Sequence, residues 1–318
     1  MEARERAGKP FSLKGLYRNH KKAIDKNVFV VSFMFLPIVL FLIFYVYVNL
    51  DSFVMAFRAV GTLEDGTIGE YWTLNNFVTL ANILKGGEDG LGILTEAILN
   101  TLLFNVVNLF LILPTTTLIC YFLYKKIAGY KFFRAVYYLP CIITSSALVM
   151  LFKLALQDGG PLDVLFRKMG YVYPLSDSPG ALITILVYHF LFSLGGNMIV
   201  ISGAMRSINS EMLESAEIDG CNWFQEFIYI ILPSIWPTIS TILILSAAGF
   251  LGASGPILAF TEGANGTMTL SFYTFALVSG KGAPTDYYLA SAIGLCMSAI
   301  SFPLALVVKK VVYGKEGA

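Results

Sequence analysis

Charge is what this chain has least of. Only 14% of its 318 residues are Asp, Glu, Lys or Arg, while 56% are hydrophobic and the mean hydropathy is +0.71. A soluble domain carries about 25% charged residues, so this chain cannot cover itself with a water-compatible surface. A formal net charge of +1 excludes bulk electrostatic attraction to nucleic acid. Cysteine is scarce too: Cys120, Cys141, Cys221 and Cys296 form no CxxC pair and no metal-ligand spacing. They read as small hydrophobes. The two histidines, His20 and His189, are too few to build a metal or nucleophile constellation, which argues against a membrane enzyme. A phosphate-binding GxxxxGK[ST] motif is also missing. The Gly-Lys pairs at Gly8-Lys9, Gly280-Lys281 and Gly314-Lys315 lack the upstream glycine and the following hydroxyl.

What the chain does have is long apolar runs. Six occur, at about 28–48, 97–124, 135–156, 181–205, 234–260 and 287–308, each sufficient for the ~20 residues that cross a bilayer. The expectation is an all-α membrane protein of six transmembrane helices, with a six-span domain at 28–308 between an N-terminal tail 1–27 and a C-terminal tail 309–318. The first run is too long for a signal peptide and no small-residue cleavage site follows it. The second and fifth exceed a crossing, which implies tilt or extension beyond the membrane. Segments sharing a side with the termini carry 16 Lys and Arg, and the opposite segments carry 5. That bias places both termini and the loop 206–233 in the cytoplasm, and the segment 49–96 outside. Lys153, the one basic residue inside a run, reads as snorkelling to the outer interface.

The loop 206–233 is a polar island with one basic residue, Arg206, against five acids: Glu211, Glu214, Glu217, Asp219 and Glu226. A loop lying on an anionic inner leaflet is normally basic. This one reads instead as two short helices. Ser210 caps the first, whose early acids suit the positive end of the helix dipole. Asp219-Gly220 ends it with a left-handed glycine. Trp223, Phe224, Phe227 and Ile228 recur at helical spacing in the second, and Leu232-Pro233 bends the chain into the fifth run. Acids on one part and aromatics on the other suit docking to a basic partner.

The order Glu214-x-Ala216, Asp219-Gly220, then Leu232-Pro233 resembles the EAA loop of ABC importer permeases, with Ser215 and Cys221 where that family has alanines. Asn100-Thr101, Phe133-Arg134 to Leu139-Pro140, Gly160-Pro161-Leu162 and Gly195-Gly196-Asn197-Met198 also resemble the sugar permeases of the maltose and glycerol-phosphate type, while Thr261-Glu262-Gly263-Ala264-Asn265 departs from the family's TxGGP. The resemblance covers about 30–310. It implies a type I ABC importer permease fold in the cell (plasma or inner) membrane, importing a sugar or oligosaccharide by alternating access. It implies that Glu214, Ala216, Asp219, Gly220, Leu232 and Pro233 form the coupling loop. It also implies a second, related permease subunit, two ATPase subunits and an extracytoplasmic solute-binding protein. With no ATPase motif of its own, the chain binds no cofactor, and ATP and Mg belong to the ATPase subunits.

Polar groups inside spans mark either a path or interhelical glue. Tyr188, His189 and Asn197 in the fourth run, and Asn105 and Asn108 in the second, are the candidates for a substrate path. Ser202 and Thr115 to Thr117 are further polar groups there, and the small residues from Ser246 to Gly255 read as a close-packing face, with Gly255-Pro256 breaking the fifth helix. The outer segment 49–96, with Asp51, Glu64, Asp65, Glu70, Glu88 and Asp89, reads equally as a docking site for a binding protein and as a solvated loop. The alternative is an ion-coupled secondary transporter. It would want intramembrane carboxylates or a repeated broken helix, and no Asp or Glu lies in any run.

Overall fold

The computed structural model describes residues 28–62, 67–85, 91–157, 159–168, 170, 175–176, 178–280 and 286–314. The basic tail 1–27, the acids Glu64, Asp65, Glu88 and Asp89, Lys281, and residues 315–318 of the C-terminal tail lie outside the described residues. Two compact units are present, Met1–Met55 and Ala56–Ala318. In the first, helix α1 (Val28–Met55) runs uncharged as far as Asp51.

In the second unit, strands β1 (Arg58–Thr62) and β2 (Ile68–Trp72) pair antiparallel, with Arg58 opposite Trp72 and Thr62 opposite Ile68. Helix α2 (Asn75–Lys85) follows, then α3 (Gly92–Tyr124), α4 (Tyr130–Ile142), α5 (Ser145–Leu156), the short α6 (Asp163–Lys168) and α7 (Gly180–Arg206). The polar island folds into α8 (Ser210–Ile218) and α9 (Trp223–Ser234). Then come α10 (Trp236–Ala248), α11 (Ile257–Phe260), α12 (Leu270–Ser279) and α13 (Tyr287–Tyr313).

Among the described residues, α1, α3, α7 and α13 are long and apolar enough to cross a membrane, and there are six spans if each of two bent pairs counts as one. The third run is the bent pair α4 and α5, and the other pair joins α9 of the polar island to α10, which opens the fifth run. Between α4 and α5 the chain turns by 106°, and between α9 and α10 by 68°. Prolines account for both. Pro140 sits in the last turn of α4, and Ile143 and Thr144 take extended dihedrals before α5 restarts. Pro237 occupies the first turn of α10, where its missing N–H costs nothing, and Ile235 forms the break. The bend into the fifth run therefore falls at Ile235. Leu232-Pro233, expected to make it, lies inside α9. Two proline positions are absorbed differently: wide turns at Val107–Ile112 and Phe227–Ile231 precede Pro114 and Pro233 and accommodate the lost hydrogen bond within a continuous helix.

The fifth run is broken again at its other end. Helix α10 stops at Ala248, a tight turn spans Phe250–Gly252, and Ala253 is extended ahead of Gly255-Pro256. Asn105 holds this break. Its amide donates to Phe250 O at 2.6 Å and to Thr101 O at 2.7 Å. Helices are also longer than the apolar runs, so Asp51 lies in α1 and Glu96 in α3.

Four apolar clusters sit along the second unit among the described residues, the smallest around Val107, Ile112 and Leu194. One joins Phe104, Val149, Ile185, Tyr188 and Phe260. A second, beside the polar island, joins Cys120, Tyr121, Met198, Ile201, Met205, Ile231 and Ile235. The third packs Leu94, Leu270, Leu277, Leu289 and Ile293. In lipid such contacts act through close van der Waals fit rather than water exclusion. Gly195 shows this: a Cβ there would collide with the backbone oxygen of Tyr137 and with Cys141 Sγ, so only glycine lets α7 lie this close to α4.

The segment 49–96 contains ordered structure on both sides of its undescribed residues. Asn76, buried, donates to Ala56 O at 2.9 Å and Arg58 O at 2.8 Å, tying α2 to the hairpin. Arg58 pairs with Glu70 at 3.1 Å and lies 4.9 Å over the Trp72 ring, while the Tyr288 hydroxyl donates to Glu70 at 2.8 Å. Sequence reading missed this hairpin and the apolar helix α12.

Candidate functional site

The polar island is a sharp elbow whose two arms are both capped. Asn209, not Ser210, caps α8: its Oδ1 accepts the Glu211 N–H at 3.1 Å. The far end closes on Gly220, at φ +77°, with Gly220 N–H donating to Glu217 O at 3.1 Å and Cys221 N–H to Ala216 O at 3.0 Å. That pair of bonds is the glycine-dependent helix terminator. One residue later Asn222 opens α9 with a capping box. Its Oδ1 accepts from the Phe224 and Gln225 amides at 3.1 and 2.9 Å, and Gln225 Oε1 accepts the Asn222 N–H at 3.0 Å. Only Cys221 separates a finished helix from a started one, so the corner is stiff.

The elbow's side chains divide cleanly. Met212, Glu214, Ile218, Asp219, Trp223 and Phe224 are exposed, with Ile218 at 86%. Ala216 is buried, so it seats α8 against its own chain, and Ser215 is the small residue on the open side. Leu232 is half-buried and Pro233 exposed. Exposed acids beside exposed aliphatic and aromatic groups make a face that can take both a basic and an apolar contact.

Glu226 departs from the expected acidic face. It is buried at 6% exposure, and its Oε2 meets Lys125 Nζ at 2.8 Å. Nothing in the local pattern marks it, because Lys125 belongs to the distant end of α3.

The five path candidates do not converge on one site, and of them Asn105 and Asn108 share a cavity. Tyr188 is buried in an aromatic cluster, with ring centroids 4.6 Å from Phe192, 4.9 Å from Phe260 and 5.2 Å from Phe152. His189 Nδ1 lies 3.1 Å from Ser193 Oγ, and its ring meets Phe104 edge-on at 5.4 Å. Asn105 is committed to the break after α10. Asn108 is half-buried and, with Asn105, Ser246, Phe250 and Leu304, lines a cavity of about 460 Å³ between α3, α10 and α13. Asn197 is half-buried at the turn that interrupts α7. Thr116 and Ser202 likewise hold neighbouring groups, donating to Leu194 O at 3.0 Å and to Cys120 Sγ at 3.5 Å.

Lys153 has specific partners: its ammonium donates to Ala259 O at 3.1 Å and Phe260 O at 3.0 Å, closing the carbonyl end of α11. Asn100 and Thr101 fasten the turn before α12: the Asn100 amide donates to Gly266 O and Met268 O at 3.0 and 2.8 Å, and the Leu270 N–H donates to Thr101 Oγ1 at 2.9 Å.

Residues 90–312 match the family model of the binding-protein-dependent transport system inner membrane component. The lactose transport system permease protein LacF of Rhizobium radiobacter is 28% identical over 219 residues, covering 65% of this chain and 73% of LacF. The multiple sugar-binding transport system permease protein MsmF of Streptococcus mutans is 29% identical over 178 residues, 54% of this chain and 60% of MsmF. The maltose/maltodextrin permease protein MalF of Escherichia coli K12 is 25% identical over 221 residues, and the aligned part spans only 43% of that longer protein. In fold, the chain superposes on a crystal structure of a bacterial ABC transporter involved in importing the acidic polysaccharide alginate. The TM-score is 0.73 at 22% identity, over 92% of this chain and 98% of that one.

Proposed function

The chain belongs to the family of binding-protein-dependent transport system inner membrane components, and from that premise we propose that it is the membrane permease subunit of an ATP-driven importer for a sugar or oligosaccharide. The observation that carries this reading is the doubly capped elbow at 209–226, with Glu214 and Ile218 on its open face and Ala216 turned inward. A stiff, exposed corner between two membrane-spanning stretches suits a part that receives force. In this reading two ATPase subunits, carrying ATP and Mg, close against the elbow here and on a second, related permease subunit. The spans then rock between outward- and inward-open states. The energy must come from that closure, since an equilibrium shifts only by the difference in binding between its states. Both termini and the elbow face the cytoplasm by the basic-residue bias, and a solute-binding protein delivers the sugar on the other side.

The names of the relatives support a saccharide cargo: lactose, multiple sugars and maltodextrin. Asn108, beside the cavity between α3, α10 and α13, and His189 are the residues retained for the path. Tyr188, Asn105 and Asn197 stay in the set as groups that shape it. The test reconstitutes the full complex in proteoliposomes and offers labelled lactose, maltose and alginate oligosaccharides. ATP-dependent uptake of at least one, lost in Glu214→Arg, is the expected result. Uptake undiminished by Glu214→Arg would remove the coupling role from this loop.

A further inference from the structure

We propose that Lys125 and Glu226 form a latch that fixes the second arm of the elbow to the end of α3, making them positioning residues for force transmission; this rests on the coupling-loop reading above. Three observations meet at this point. First, Glu226 is buried and its Oε2 lies 2.8 Å from Lys125 Nζ. A buried carboxylate needs a compensating charge, and Lys125 supplies it. Second, Lys125 is the residue that ends the helix Leu113–Tyr124, while Glu226 lies in the first turn of α9. Each charge thus sits at the helix end whose dipole favours it, and the two ends are joined through the pair. Third, the same junction is reinforced around the pair. The Tyr121 hydroxyl donates to Trp223 O at 3.1 Å, the Tyr121 ring lies 5.2 Å from Phe227, and Phe122 lies 5.7 Å from Trp223.

The consequence is mechanical. The elbow's first arm is open to a partner, whereas its second arm is bound to α3. A push on Glu214 or Ile218 is then passed through the capped corner to α3 as well as along α9 into α10. Without the latch, α9 would pivot at Asn222 or at the Ile235 break, and ATP closure would be spent on moving the elbow alone.

The test compares sugar uptake per ATP hydrolysed in the reconstituted complex, together with co-purification of the ATPase, for wild type, Glu226→Gln, Lys125→Gln, Lys125→Arg and the swap Lys125→Glu with Glu226→Lys. Because Lys125→Gln leaves the Glu226 carboxylate buried without its charge, the melting temperature of each purified complex is read beside the ratio to separate misfolding from lost coupling. Glu226→Gln and Lys125→Gln are expected to lower uptake per ATP about tenfold, the weight of one charge-assisted hydrogen bond, with ATPase co-purification unchanged. Lys125→Arg should stay within about twofold of wild type, and the swap should recover part of the ratio. Lys125→Gln within twofold of wild type would overturn the latch, as would a fall equal in Lys125→Arg and Lys125→Gln. If Glu214→Arg abolishes uptake and Lys125→Gln does not, the latch alone fails; if neither changes uptake, the coupling reading itself fails.

Discussion

Gly220 offers a graded test of the elbow. The residue holds φ +77°, and a Cβ there would meet nothing within 4 Å. Substitution is therefore opposed by backbone strain and not by crowding. Asparagine, which tolerates the left-handed region, should cost least. Alanine should cost about 1 kcal/mol, enough to raise the population of the opened corner about fivefold. Proline cannot reach this dihedral and also removes the amide that donates to Glu217 O at 3.1 Å, a combined penalty of about 3 kcal/mol or more. Because Asn209 and Asn222 cap the two arms independently, Gly220→Asn and Gly220→Ala should keep most of the uptake, while Gly220→Pro should lose it. Hydrogen exchange at the Cys221 amide, which donates to Ala216 O, reports the corner in every variant, and uptake in proteoliposomes reports its use. Exchange and uptake should fall out of range in the same order. A proline variant that imports at the wild-type rate, or an asparagine variant worse than alanine, would refute the reasoning.

Other outcomes follow from the same contacts. Asn105→Ala removes an amide bonded to two carbonyls and should lower the melting temperature of the purified complex, whereas Asn108→Leu should change saccharide uptake with little effect on melting; the reverse pattern would exchange their roles. Lys153→Met leaves the Ala259 and Phe260 carbonyls without their charged donor, worth about 2 kcal/mol, and should lower the melting temperature measurably. Gly195→Ala forces α7 away from α4 and should destabilise by about 1–3 kcal/mol, read as reduced accumulation in the membrane. The Tyr288 hydroxyl, with Arg58 adding to it against some desolvation, holds the Glu70 carboxyl below its ordinary 4.5. Its contribution is thus present above that value and fades as pH falls through the lower folded value. Trp72 fluorescence, in a background of Trp223→Phe and Trp236→Phe, should stay constant from pH 8 to 5 and change only below the ordinary carboxylate range.

Membrane character was legible because length and hydropathy alone decide whether a stretch can cross a bilayer. Direction was not. Pro140 and Pro237 are plain in the sequence, yet so are Pro114, Pro233 and Pro303, which lie within continuous helices, the first two behind wide turns; how the surrounding backbone absorbs a proline decides whether the helix bends. The elbow was legible at Gly220, where backbone geometry selects the residue. Its cap was read one position late, because Asn209 and Ser210 are both good caps and only the chain's path chooses between them. Glu226 was unreadable as a buried group because its partner lies at the end of another helix. The path candidates scattered for a related reason: an asparagine inside a helix looks the same whether it meets a sugar or a broken backbone, and Asn105 meets the backbone.

The most direct measurement is site-directed cross-linking of the elbow to the ATPase. With Cys120, Cys141, Cys221 and Cys296 replaced, single cysteines are placed at Ile218, 86% exposed, at buried Ala216, and at Trp72 in the hairpin. The account predicts that Ile218→Cys cross-links to an ATPase subunit in the assembled complex and that Ala216→Cys and Trp72→Cys do not. Cross-linking from Trp72→Cys, or none from Ile218→Cys in a complex that still imports, would contradict it.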